Sequence, residues 1–202
     1  AFNVIVTAML LPMSSILEKI AYKIVPETQK EDVNTELDER LIATPPIAVE
    51  RCNVLVNEMA KCAITGLKNS LNMLNKYDSK TAEAIRNAEE KVDHYEDILG
   101  TYLVKLSAHQ VSDSDSTKIS MLLKAIGDFE RISDHSVNIL ESAEELNSKE
   151  ISFTDSAKKE IDTMCQAVSE ILTLTYTAFT ENDLFAAGSV EPLEEVVDEL
   201  KN

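Results

Sequence analysis

From Ile47 onward the apolar residues of this chain recur at helical intervals, and that periodicity restricts the fold more than any other feature. Ile85, Ala88, Val92, Tyr95, Leu99, Tyr102 and Leu106 follow one another at alternating steps of three and four, along one seam of a helix packed in a bundle. Strand-like alternation is almost absent, and turn residues are rare inside the long runs. The pattern predicts an all-α chain with long helices over about 47–75, ending near 109, 116–146 and 154–180, and a fifth beginning after Asn182. Ser112, Asp113, Ser114 and Asp115 supply the loop and cap residues ahead of the third helix.

Sliding the chain against itself by 105 positions reveals an ungapped internal repeat. Met59 then faces Met164, Leu67 faces Leu172, Asp78 faces Asp183 and Ala82 faces Ala187. Val56, Leu74 and Ile85 meet Ile161, Phe179 and Val190, while Glu89, Glu90, Val92 and Asp93 fall on Glu194, Glu195, Val197 and Asp198. One offset held over so long a run favours duplication over chance likeness of amphipathic helices. A three-helix repeat unit would occupy 47–150, with 151–202 as a partial second unit that breaks off inside its second helix. Such a fragment would leave apolar faces uncovered and is expected to form homo-oligomers or exchange helices.

The start of the chain is different. Residues 1–17 carry no charged side chain, and Glu18, Lys19 and Lys23 then precede Pro26. A helix of that length reaches about 25 Å, against roughly 30 Å for a hydrocarbon core, so 1–26 reads as the end of a membrane helix rather than a whole span. Bases placed after the apolar run, not before it, argue against a signal peptide and put the remainder on the cytoplasmic side of the plasma membrane. Residues 27–46 are polar and break at Pro45 and Pro46, as a linker does before a helix.

The chain's net charge is -17, and since residues 1–26 are slightly basic all of that acidity lies after Pro26; no basic stripe interrupts it, which argues against nucleic acid as a partner. The 4 glycines are too scattered for a phosphate-cradling loop. The 3 histidines lie far apart and no Ser stands on a G-x-S-x-G turn, so enzyme function is not expected. Cys52, Cys62 and Cys165 form no C-x-x-C pair and read as small apolar fillers in a reducing compartment.

The third helix carries Asp128, Glu130, Arg131, Asp134, His135, Asn138 and Glu141. At about 100° per residue, Glu130, Asp134 and Glu141 lie about 40°, 80° and 60° from the core position Ile126, in one strip beside the buried stripe. His135 lies about 180° away and faces solvent. Three like charges on one strip ask for a compensating cation, and an all-oxygen set suits Fe, Mn, Mg or Ca, with Zn also accepting carboxylates. A solvated acidic face, or a salt bridge from Arg131, explains the same spacing. A carboxylate-bridged metalloenzyme would need Glu-x-x-His pairs, whereas His94 follows Glu90 by four and His135 follows Glu130 by five.

The segment from Asp128 to Glu141, with Glu130 and Asp134 as its E-x-x-x-D core, resembles the signature helix of PhoU proteins. The resemblance implies tandem three-helix bundles, in agreement with the repeat. It also implies a metal ion, iron or zinc, at Glu130 and Asp134, with Glu141 beside them and Glu90 and Asp93 contributed by the second helix. Phe2-Asn3-Val4, Leu10-Leu11-Pro12, Leu37 to Leu41 and Thr44-Pro45 resemble the junction between the membrane domain and PhoU in sodium/phosphate cotransporter-related proteins of the Na/Pi cotransporter II type. Together these likenesses imply a cytoplasmic PhoU-like regulatory domain attached to a membrane transport domain of the same polypeptide. The whole protein would carry out sodium:phosphate symport, with sodium and phosphate as the transported ions. The alternative is a stand-alone PhoU-like phosphate-signalling regulator that binds partner proteins.

Overall fold

The computed structural model describes residues 37–201. The expected membrane-helix end at 1–26 and the first half of the 27–46 linker lie outside the described residues. Among the described residues, no helix is long and apolar enough to cross a membrane.

The described chain is all-helical, in the order of a 3-10 turn at Glu39–Ala43, then α1 (Pro45–Met73), α2 (Ser79–Ser107), α3 (Asp113–Ser148), α4 (Asp155–Glu181) and α5 (Leu184–Leu200). The predicted elements are therefore present, with ends shifted by a few residues. Pro45 and Pro46 occupy the first helical positions of α1, where a missing N–H costs nothing. Ser112 caps α3 by accepting from the Asp115 N–H, and Thr154 caps α4 from Ala157. Asn182 takes a left-handed conformation at φ 53°, ending α4, and Asp183 at once caps α5.

Helices α1, α2 and α3 pack on one another as an up-down-up bundle. α2 buries a single stripe that includes Ile85, Val92, Tyr95, Leu99, Tyr102 and Leu106, matching the seam read from the sequence. α1 is buried far more widely, because α2, α3 and α4 all rest on it. Small residues let α1 and α3 approach closely: a Cβ on Gly66 would stand 3.4 Å from Ser136 Oγ and 3.9 Å from Ala88 Cβ. The buried hydroxyls there turn onto their own helices, Ser136 to Ser133 O at 2.6 Å and Ser70 to Leu67 O at 2.8 Å, so both are satisfied.

α4 runs antiparallel to α1. Lys68 Nζ donates to Thr173 Oγ1 at 2.7 Å and Asn75 Nδ2 to Asp162 Oδ1 at 2.7 Å, so advancing along α1 means retreating along α4. The Phe179 ring meets Phe129 of α3 edge-on, centroids 5.1 Å apart, fixing α4 against the first bundle. α5 folds back on α4 and completes a two-helix hairpin.

Residues 37–46, expected as part of a linker, instead contain a docked strap. Leu37 and Ile42 are buried, Tyr102 donates to the Asp38 carbonyl at 3.0 Å, and Lys105 pairs with Glu39 at 2.7 Å. The composition is polar, as read, but two buried apolar side chains and these polar ties dock the segment on the bundle.

Candidate functional site

The acidic residues that meet in space come from two helices. On α2, buried Ile85 and Val92 fix the rotation of the helix so that Glu89 and Asp93, one turn apart, stand at the rim facing α3. On α3, buried Phe129 and Ser133 do the same for their neighbours Glu130 and Asp134. Gly66, Ala88 and Ser136 form the close three-helix junction at the same level, and it draws the two acidic rims together. Carboxylate oxygens of Glu89, Asp93 and Asp134 lie within 4.8 Å of one another.

This proximity shows in the acidities. Burial, then the charges of Asp93 and Asp134, hold the Glu89 carboxyl above its ordinary range. Burial and the charges of Asp134 and Asp97 do the same for Asp93. Glu130 is raised by burial first, then by the neighbouring Asp134 and by Glu96 and Asp93. Arg86 is the basic residue that moderates Glu89, yet its guanidinium is committed to Glu144 at 2.7 Å. Like charges are therefore crowded along the α2–α3 seam, and a proton or a cation there relieves the repulsion.

Of the residues the sequence marked, Asp93 and Asp134 come together in the cluster and Glu130 adjoins it through Asp134. Glu90 and Glu141 are exposed and stand outside the three-residue group. His135 is exposed, as its angle from Ile126 required. Glu89 was not among the sequence candidates; the signal for it was its position three residues before Val92 in the seam. The second repeat carries Glu194 and Asp198 on α5 where the first has Glu89 and Asp93, so half of the same acidic rim recurs there.

The donor set is all oxygen, with no sulfur or imidazole, and three carboxylates from two helices at this separation fit a hard cation. The cysteines stand apart from this chemistry: Cys52 is a buried filler whose thiol is pushed up to about 12 by burial, and Cys62 and Cys165 are half-buried and likewise raised by burial first.

Compared with known families, residues 56–143 match the PhoU domain, a stretch that begins within α1, contains all of α2 and ends near the close of α3. The matched stretch takes in most of the first bundle with its acidic seam, and its similarity to the PhoU domain suggests a role in regulating phosphate transport or in phosphate signalling. No curated protein and no solved structure gives a match.

Proposed function

We propose that this chain is the cytoplasmic regulatory end of a sodium-dependent phosphate transporter, held on the inner face of the plasma membrane by a transport domain of the same polypeptide. The observation that carries this reading is the PhoU domain at residues 56–143, joined to an apolar segment at 1–17 whose flanking bases have the sign expected on the cytoplasmic side. The docked strap supports it further. A free linker would isolate the bundle from whatever precedes it, whereas Leu37, Ile42, Tyr102 and Lys105 tie residues 37–43 to α2. The same helix carries Glu89 and Asp93, so a change at the acidic seam and a pull on the strap act on one rigid element.

Glu89, Asp93 and Asp134 would hold a divalent or ferric ion, with Glu130 one turn from Asp134 on α3. Such an ion supplies positive charge that neutralises the seam. The chain's own residues then set the response: without that charge the α2 and α3 rims repel, and with it they close. This module has no catalytic role in our reading.

The test is sodium-dependent phosphate uptake by cells expressing the full-length protein beside a version ending after Pro26. Uptake that loses its response to phosphate supply when the domain is removed supports the reading. A full-length protein that moves no phosphate sinks it and leaves a stand-alone phosphate-signalling regulator. For the seam, calorimetry of the purified chain with Mn2+, Fe3+ or Zn2+ is expected to show saturable binding that Asp93→Asn with Asp134→Asn abolishes.

A further inference from the structure

The starts of α1, α3 and α5 and the ends of α2 and α4 share one end of the molecule, because α2 runs against α1 and α3, α4 runs against α1, and α5 folds back on α4. The chain joins the bundle close to that end: the strap passes from Tyr102 and Lys105, near the last turn of α2, to Pro45 at the first of α1. Here α5 opens with Leu184 and Phe185, which are 86% and 85% exposed. No other large apolar side chain among the described residues exceeds 58%, and two of those nearest to it, Ile47 and Val104, stand at the same end, in the first turn of α1 and the last of α2. Asp183 caps α5 by accepting from the Phe185 and Ala186 N–H groups, and Ala186 is buried, so the turn is held with Leu184 and Phe185 outward.

A further helix over the α4–α5 hairpin would not cover this pair. Ser79 and Lys80 occupy the equivalent places 105 residues earlier, and both are exposed although α3 packs on α2. That first tip lies at the opposite end of the bundle and is polar. Of two equivalent tips, the apolar one is therefore at the end where the chain enters, and that chain carries the uncharged run 1–17 followed by Lys19 and Lys23.

We propose that Leu184 and Phe185 form a wedge that inserts into the interfacial layer of a zwitterionic lipid bilayer, an inference that rests on the reading of the chain as membrane-anchored. The pair is a protrusion rather than a groove: neighbouring side chains at a helix start, each more than four-fifths exposed. The reach fits, since the 11 residues from Glu27 to Leu37 extend at most about 40 Å, and a bundle tethered by 1–26 stays beside the bilayer. The contact is apolar rather than electrostatic, because the chain carries a net charge of -17 and Glu181 and Asp183 flank the wedge. Two side chains bind weakly by themselves, as one acyl chain does, and the tether supplies the effective concentration that makes the contact persist.

The chain contains no tryptophan, so Phe185→Trp places a single indole at this tip and Ser79→Trp places one at the opposite tip. Each variant of the whole chain is mixed with phosphatidylcholine vesicles, and indole emission is read together with quenching by lipids brominated at known depths. A blue shift with quenching is expected for Phe185→Trp and neither for Ser79→Trp. Adding Leu184→Asp to the Phe185→Trp chain should move the tip from lipid toward water by at least about tenfold. An indole that stays in water while the chain cosediments with the vesicles overturns the wedge and leaves the anchorage standing; a chain that does not cosediment removes both. A blue shift without lipid, with dimers in sedimentation, assigns the pair to a second copy, and one seen only in the protein joined to its transport domain assigns it to that domain; either result overturns insertion.

Discussion

Two hairpins of one repeat, α1–α2 and α4–α5, meet different fates in this molecule. Ile85 and Val92 in the first are fully buried; Val190 and Val197, their equivalents, are half-exposed in the second. The apolar pattern is the same in both. What differs is the neighbour: α3 lies over α1 and α2, whereas α4 and α5 have each other and one side of the first bundle. An amphipathic stripe therefore states that a helix has a face to cover, and burial follows only when something covers it.

The widest test of this contrast substitutes equivalent core positions. Ile85→Ala is expected to cost about 2–5 kcal/mol in urea unfolding, from lost transfer energy and a residual cavity, while Val190→Ala costs under about 1 kcal/mol. Equal costs would mean that the second hairpin is covered in solution.

Smaller and more even effects are expected at the caps. Asp78→Ala and Asp183→Ala should each cost about 1 kcal/mol, because a cap acts within its own turn and is indifferent to what covers the helix further along. An Asp183→Ala variant with unchanged stability would show that α5 is not held at its start, and the likeness of the two hairpins would then stop at the sequence.

The smallest effect is in pH, and the first bundle should show it with two signs. Hydrogen bonds from the Arg40 side chain and backbone hold Asp38 below its ordinary range, the Lys105 ammonium does so for Glu39, and the Thr81 hydroxyl and N–H for Asp78. Their folded pKa values lie below the unfolded ones, so their contribution is present above the ordinary carboxylate range and is lost as pH falls through it. Glu89, Asp93 and Glu130 are raised, chiefly by burial and by one another. Their charged forms oppose folding at neutral pH, and protonation on mild acidification relieves the seam. In chelator, thermal stability should therefore rise as pH falls from neutral toward the ordinary carboxylate range and fall again below about pH 4. Asp93→Asn with Asp134→Asn should remove the rise and leave the fall.

The helix faces that carry the acidic rims were legible before the fold. The seam from Ile85 to Leu106 gave the buried stripe of α2 residue by residue, and the angles from Ile126 put His135 outside and Glu130 at the rim. The selection of Glu89 rather than Glu90 was not legible. A helical wheel ranks residues about one axis, but which α2 acid meets Asp134 depends on the rotation and depth at which α2 and α3 pack. Gly66, Ala88 and Ser136 set that depth. The strap was missed for a related reason: Leu37 and Ile42 sit in a polar stretch, and the segment's docking depends on distant residues, as where Tyr102 meets Asp38 with a separation of 64.

By itself the sequence determined the all-helical class, the approximate extent of the helices, the internal likeness at an offset of 105 and the acidic rims, because periodicity, capping and charge are local properties carried by neighbouring residues. The tertiary structure alone decided which acids share a site, that residues 37–43 grip α2, and that α4 crosses α1 at repeat-equivalent residues. Those outcomes rest on close approach between helices, and close approach is set by the shapes of both partners at once.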